Sequence, residues 1–222
     1  MKLNRTFSEL ANLPGTLPLF PLAGALLLPR RPIQLTVFEP RYLAMLDDSL
    51  SGERLIGMIQ PAAGEAATGA TPALAPVGCA GRIVQYAEIG DGRCFLTLMG
   101  VARFRIAEEL TTLTPYRMAR LSYADFAEDL VEGYGEVEVD REALLAALKA
   151  YAKANGLKVD WDDVGKAPNE ALVNALSMMS PYGPKEKQAL LEARDLRARA
   201  EILVAISQMD IAHGVDAPRH LH

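Results

Sequence analysis

The first fifty residues carry their apolar positions in short runs punctuated by proline. Leu17, Leu19, Phe20 and Leu22 flank Pro18 and Pro21, Ala25 to Leu28 end at Pro29, and Ile33, Leu35 and Val37 alternate with Gln34, Thr36 and Phe38. Strict alternation is the period of a strand with one buried face. Proline borders such strands because it lacks the N–H that a central ladder position donates. At Glu39-Pro40 the period lengthens, and Leu43, Leu46 and Leu50 share one helical face. Pro40 suits the first helical position, and Glu39 places negative charge at the positive end of the helix. The pattern predicts strand, proline-started helix, then a further strand at Leu55–Ile59.

Residues 61–78 are rich in Ala, Gly, Pro and Thr with a single charge at Glu65. They have no amphipathic period and read as a mobile surface loop, long enough to be functional. From Cys79 to Tyr123 the chain reads as all-β. Gly90-Asp91-Gly92 supplies a hairpin turn, Phe95–Met99 and Phe104–Ile106 are strands joined through Gly100, and Tyr116–Tyr123 is a last strand. Several short strands with one inserted helix predict a small, closed or nearly closed barrel.

Beyond residue 124 the character changes. Residues 125–140 form an acidic connector with Gly133 and Gly135 as breakers. Leu144, Leu145, Leu148 and Tyr151 then fall at helical spacing and stop at Asn155-Gly156. Pro168-Asn169-Glu170 restarts a helix through Leu172, Ala175, Leu176 and Met179, and Ser180-Pro181-Tyr182-Gly183-Pro184 breaks it. One long final helix is expected after that, with Leu190, Leu191, Ala198, Ile202, Ala205 and Met209 on its apolar side, packed antiparallel to its neighbours.

Composition changes the picture only in part. Half of the 222 residues are apolar and 23% are charged, which is ordinary for a folded globular chain. No apolar run reaches the roughly 18 residues of a membrane span, and the polar N-terminus lacks a signal core. A cytoplasmic protein is expected. Residues 1–124 hold 12 Lys/Arg against 10 Asp/Glu, net +2; residues 125–222 hold 11 against 18, net −7, together the stated −5. Two unlike subdomain surfaces follow, and neither shows the basic stripe of a nucleic-acid binder. Hairpin register sets Cys94 opposite a residue near Glu88 and Cys79 far up the partner strand. That separation exceeds the roughly 7 Å a disulfide spans, so both read as buried thiols, and zinc spacing is missing. His213, His220 and His222 lie in the tail, where accidental metal affinity is a better reading than a built site.

Three elements carry a resemblance: Pro18-Leu19-Phe20-Pro21-Leu22, the step Leu27-Leu28-Pro29, and the box Phe38-Glu39-Pro40-Arg41-Tyr42. In that order they resemble the N-terminal domain of the Lon protease family, in its short stand-alone bacterial form. Gly81-Arg82-Ile83, Phe95 to Gly100, Arg103 to Ile106, Ala189 to Glu192, and Leu196, Arg199 and Leu203 extend the likeness over nearly the whole chain. One departure is Arg30, where the family often has glycine. The resemblance implies an α+β fold, with an N-terminal PUA-like β-barrel carrying an inserted helix and a C-terminal α-helical subdomain. The units are then residues 1–124 (barrel), 125–140 (connector), 141–213 (helical subdomain) and 214–222 (tail).

The lone Gly165-Lys166 is followed by Ala167 and has no phosphate-loop glycine before it, so ATP hydrolysis is not expected. Ser180 with Lys185 and Lys187 surrounds a helix break rather than an oriented nucleophile. No catalytic residue, cofactor or metal is assigned. The resemblance implies a non-catalytic module that recognises protein substrates, with unfolded or partner protein segments as ligands and self-association as a further option. The candidate contact residues are Phe38, Arg41, Tyr42 and Arg103 on the barrel, and Met178, Met179 and Tyr182 on the helical side, with a weakly held, apolar peptide expected in the groove between subdomains. The competing reading is a PUA-like binder of RNA or a small ligand, using Arg82, Arg93, Arg103, Arg105, Arg117 and Arg120 on one barrel face; a hydrolase ranks third.

Overall fold

The computed structural model describes residue 7 and residues 9–62, 72–156 and 158–216. Six strands form one sheet: β1 (Thr16–Pro21), β2 (Pro32–Val37), β3 (Leu55–Ile59), β4 (Val77–Gly90), β5 (Arg93–Leu110) and β6 (Arg117–Ser122), in the order β2-β5-β4-β3-β1-β6. β6 also pairs with β5, which closes the barrel and leaves β2 attached to β5 alone. The β1–β3 pair is parallel and the others antiparallel. Register shifts along β4–β5 and β5–β6 bend the long strands around the closure. Helix α1 (Pro40–Ser51) sits between β2 and β3 in the chain, as the proline-started pattern predicts.

The two strand segments expected either side of Gly100 are one continuous strand of 18 residues. Gly100 does not break it. A Cβ there would lie 2.0 Å from the Leu28 carbonyl oxygen, so glycine admits the approach of the Leu26–Leu28 segment rather than a turn. That apolar segment is not a strand; its three leucines are buried as a plug. The 61–78 loop is also shorter than expected. Pro61 bridges Leu74, the Ala75 amide donates to the Gln60 carbonyl at 2.9 Å, and β4 begins at Val77. Residues 63–71 lie outside the described residues. The hairpin turn is as read, with positive φ at Gly90, Asp91 and Gly92, and Cys94 stands opposite Glu88. Both cysteines are free and buried.

The helices are α2 (Arg141–Ala154), α3 (Trp161–Lys166), α4 (Asn169–Met179), α5 (Pro184–Glu192) and α6 (Leu196–Asp216). Asp140 caps α2 through the Ala143 amide, and Asp160 caps α3 through the amides of Asp162 and Asp163. The single long final helix is two. The break lies at Ala193–Asp195, where Asp195 accepts from the Ala198 amide and starts α6. The buried side of α6 is Leu196, Arg199, Ala200, Leu203 and Ser207, while Met209 is 61% exposed and Ala205 is exposed. The expected stripe through Ala198 and Met209 counted apolar residues and passed over a buried arginine. The residues read as an acidic connector carry short 3₁₀ turns, Ala124–Leu130 and Glu136–Glu138, and Asp129 and Phe126 within them are buried. One apolar cluster runs from barrel residues such as Leu28, Met58 and Leu96 into Leu144, Leu172, Val173, Leu190 and Leu203; a second centres on Phe104, Leu19 and Leu121.

One tether between α1 and the barrel titrates. The Tyr116 hydroxyl donates to Asp48 Oδ2, and burial, followed by that carboxylate, pushes the phenol from its ordinary 10.0 up to about 12. A raised phenol favours the folded state while the unfolded phenol is still protonated. This contribution is intact below about pH 10 and is lost as pH rises through 12. Stability should therefore fall between pH 10 and 12, and Tyr116→Phe should flatten that fall while costing about 1 kcal/mol at pH 7. Urea titrations at neutral pH and across the alkaline window test it; an unchanged alkaline slope in the variant would refute the assignment.

Candidate functional site

Two regions could serve as sites: the seam between barrel and helices, and a groove beside α1. The seam is built on Arg103, which β5 points toward the helices. Its guanidinium forms a two-point pair with Asp129, Nε to Oδ2 at 2.9 Å and Nη2 to Oδ1 at 2.8 Å. The Arg103 amide also donates to Asp129 Oδ2 at 2.8 Å, and Nη1 donates to the carbonyls of Leu191 and Ala193. The guanidinium lies 4.3 Å from the Phe126 ring centre. Arg199 is equally buried, donating to the Leu190 carbonyl at 3.0 Å and to Asn174 Oδ1 at 2.8 Å. Burial, and then the nearby Arg103 charge, depress its ionisation.

Arg30 completes the seam and explains the departure from glycine. Leu28-Pro29-Arg30-Arg31 is a turn closed by the Arg31 amide on the Leu28 carbonyl, with Arg30 at φ 61°. That position favours glycine, because a side chain there is crowded by its own backbone. The Arg30 guanidinium reaches Glu170 and the Asp129 carbonyl oxygen. Glu170 in turn accepts from the Gly133 amide, and Glu136 accepts from the Glu170 amide at the start of α4. The strained turn is thus compensated by a clasp between barrel and helices. Clefts of about 270 and 490 Å³ flank the seam, lined by Arg30, Arg31, Glu128, Glu136, Glu170 and Arg194 among others. The inter-subdomain groove, expected to be apolar, is lined largely by charge.

The second region is apolar. Leu43, Leu46 and Leu50 of α1 face Tyr86 of β4 across a groove of about 280 Å³, with Cys94 at its base and Asp47, Glu88 and Arg93 around it. Tyr86 is half exposed and Phe38, at the end of β2, is 63% exposed. The leucine face read from the sequence therefore serves two ends, since Leu46 is buried while Leu43 and Leu50 are only half covered. Tyr86 was not singled out by the sequence; an aromatic in the β4–β5 arm beyond the pairing with β3 carries no local signal.

The candidate contact residues separate by burial. Phe38 and Met179 are exposed, Met179 at 82%. Arg41 is half exposed, pairs with Glu39 and lies 4.5 Å from the Tyr42 ring centre. Tyr42 is buried against Phe20, with ring centres 4.5 Å apart. Met178 packs against the core, and Tyr182 bonds Ser207 and meets Tyr151 edge to face. Arg103, placed on the recognition surface by sequence reasoning, is 3% exposed with its donors used internally. Its role is architectural.

The arginines of the competing reading are likewise engaged. Arg105 pairs with Asp125, Arg117 with Glu109, Arg120 with Glu108 and Arg93 with Asp91, while Arg82 lies over the Phe7 ring. Glu108 and Arg120 face each other across β5 and β6, so alternating charge along these strands forms cross-strand pairs rather than one basic face. Among the described residues no group of three or more His, Cys, Asp and Glu is arranged to hold a metal ion, and no helix is long and apolar enough to cross a membrane. His220 and His222 lie outside the described residues.

Comparison with known proteins places this architecture. The family model of the ATP-dependent protease La (LON) substrate-binding domain matches residues 16–207. Lon protease 2 of Sorangium cellulosum is 29% identical over 202 residues, covering 86% of this chain, and Lon protease of Desulfosudis oleivorans is 26% identical over 193 residues, covering 84%. The chain spans only 24% and 23% of the length of those two relatives. Among solved structures, a Lon N-terminal domain protein from Xanthomonas campestris aligns at TM-score 0.62 and 25% identity, over 86% of this chain and 97% of that one. The N-terminal domain of a Mycobacterium avium complex Lon protease aligns at TM-score 0.63 and 17% identity, over 87% and 98%, a likeness of fold. With the matched span running from β1 into α6, the chain belongs to the Lon substrate-binding domain family.

Proposed function

We propose that the chain binds extended or unfolded segments of other proteins in the cytoplasm and performs no hydrolysis itself. The observation that carries this reading is the match of residues 16–207 to a substrate-binding domain. The groove between α1 and the β4–β5 hairpin supports it, because half-covered leucines beside an exposed tyrosine suit apolar side chains of a peptide. Phe38 on the barrel and Met179 on the helical side are further exposed apolar side chains for such a segment, whereas Met178 and Tyr182 are taken up in packing. Burial of apolar area contributes about 25 cal/mol per Å², against several kcal/mol lost on association, so a short peptide binds at micromolar strength or weaker.

Titration of a fluorescent peptide from an unfolded protein tests the reading. Binding should persist as salt is raised, since apolar burial is not screened. Tyr86→Ala should weaken it by about five- to tenfold with the thermal midpoint unchanged. ATP and casein should not be turned over. Tight RNA binding that fades steeply with salt, without peptide binding, would reverse the reading. The internal pairing of the barrel arginines weighs against that outcome.

A further inference from the structure

The barrel closes through β5–β6 and leaves β2 outside the closure, so β2 is the edge of the sheet among the described residues. Register decides which of its backbone groups are free. The Gly100 amide donates to the Arg31 carbonyl at 2.9 Å, and the pairs Pro32↔Met99 to Val37↔Cys94 continue that register. An antiparallel ladder bonds every second residue, so Ile33, Leu35 and Val37 exchange bonds with β5. Gln34 and Thr36 turn their N–H and C=O groups outward. Pro32 faces the same way, where its missing N–H costs the ladder nothing. The edge is open: Pro32, Gln34 and Thr36 are exposed, and Ile33 and Leu35 are half covered. No charged residue guards it between Pro32 and Phe38.

We propose that this edge pairs with the same edge of a second copy of the chain, antiparallel about a two-fold axis through Leu35. In that register Gln34 of each copy faces Thr36 of the other, so the outward groups meet in hydrogen-bonded pairs. Each Phe38 N–H meets a Pro32 carbonyl, the one group that Pro32 can still offer. Leu35 meets Leu35 at the axis and Ile33 meets Val37, which covers the half-exposed apolar side. Charge selects this register over its neighbours. It sets Arg31, which has no ion pair among the described residues, against Glu39 of the second copy, whose own partner is the exposed Arg41. An axis through Thr36 would carry Arg31 past the end of the strand to the first turn of α1, and an axis through Gln34 would set it against Val37. A foreign peptide has no such built-in complement. An edge this short forms a weak, reversible dimer.

Sedimentation velocity on the 222-residue chain, from micromolar to millimolar concentration, tests the proposal. A reversible monomer–dimer equilibrium is expected. Thr36→Pro removes an outward N–H without removing a bond to β5 and should weaken the dimer by about tenfold or more at unchanged far-UV circular dichroism. Arg31→Glu should weaken it independently, and Arg31→Glu combined with Glu39→Arg should restore it. A chain that stays monomeric at millimolar concentration, or a dimer indifferent to Thr36→Pro and to the charge exchange, would overturn the proposal. So would a monomer whose peptide binding is lost in Thr36→Pro, which assigns the edge to a foreign segment. Peptide binding sensitive to Tyr86→Ala but not to Thr36→Pro leaves the two surfaces separate.

Discussion

Replacing Arg103 by methionine should lower the unfolding free energy by about 3–5 kcal/mol, the largest single effect expected outside the apolar cores. The guanidinium is 3% exposed and meets both Asp129 oxygens and two carbonyls at the α5–α6 break. Removing it strands a buried carboxylate and leaves those carbonyls without their donor. Asp129→Asn should cost less, because the amide keeps one acceptor for the Arg103 amide. Replacing both charges together, as Arg103→Met with Asp129→Leu, should cost less than the sum of the two single changes, since neither charge is then left alone. Urea unfolding followed by circular dichroism gives all of these values. A loss below about 1 kcal/mol for Arg103→Met would show that the pair is dispensable.

Phe104→Ala should cost a similar amount, about 3–5 kcal/mol, for a different reason. The ring is fully buried in the second core, and glycines make room for it. A Cβ on Gly78 would lie 2.5 Å from the ring, and one on Gly57 would lie 3.1 Å from it and 2.8 Å from Leu19. Coupling follows. Gly57→Ala alone overpacks this core, at about 1–3 kcal/mol, whereas in the Phe104→Ala background the added methyl enters the cavity and should cost less or stabilise. Gly78→Ala should not be rescued in the same way, because its Cβ also meets the Met58 carbonyl oxygen at 2.5 Å. Additive costs for Gly57→Ala and Phe104→Ala would contradict this packing.

These cases also show where sequence reading stops. The alternation Ile33-Leu35-Val37, the start of α1 at Pro40, the strand Leu55–Ile59, the 90–92 turn and the stops at Asn155-Gly156 and Pro181 were legible because each is set by local backbone chemistry. The misreadings share a different cause. Gly100 reads locally as a break, yet serves the approach of Leu28; Asp129 reads as one acid in a run, yet is the counter-charge of a buried arginine. On α6, counting apolar residues chose the wrong stripe because Arg199 and Ser207 occupy the buried side.

Of the candidate contact residues, exposure could be assigned for Phe38 by strand alternation, but not for Arg103. An inward-pointing arginine on a strand has the same local pattern as one facing solvent until its carboxylate partner is known. Tyr86 and the α1 groove were invisible for a related reason, since residues more than thirty positions apart create the groove. Local periodicity, proline placement and turn chemistry by themselves determined most of the element types, because those signals act within a few residues, and the family likeness rested on the wording of the motifs at Pro18–Leu22 and Phe38–Tyr42. Only the tertiary structure decided which charges are buried and paired, which glycines make room for a neighbour, and which edge of the sheet stays open. Those depend on long-range closure of the barrel, where a side chain's cost or benefit is set by atoms that its sequence neighbours do not supply.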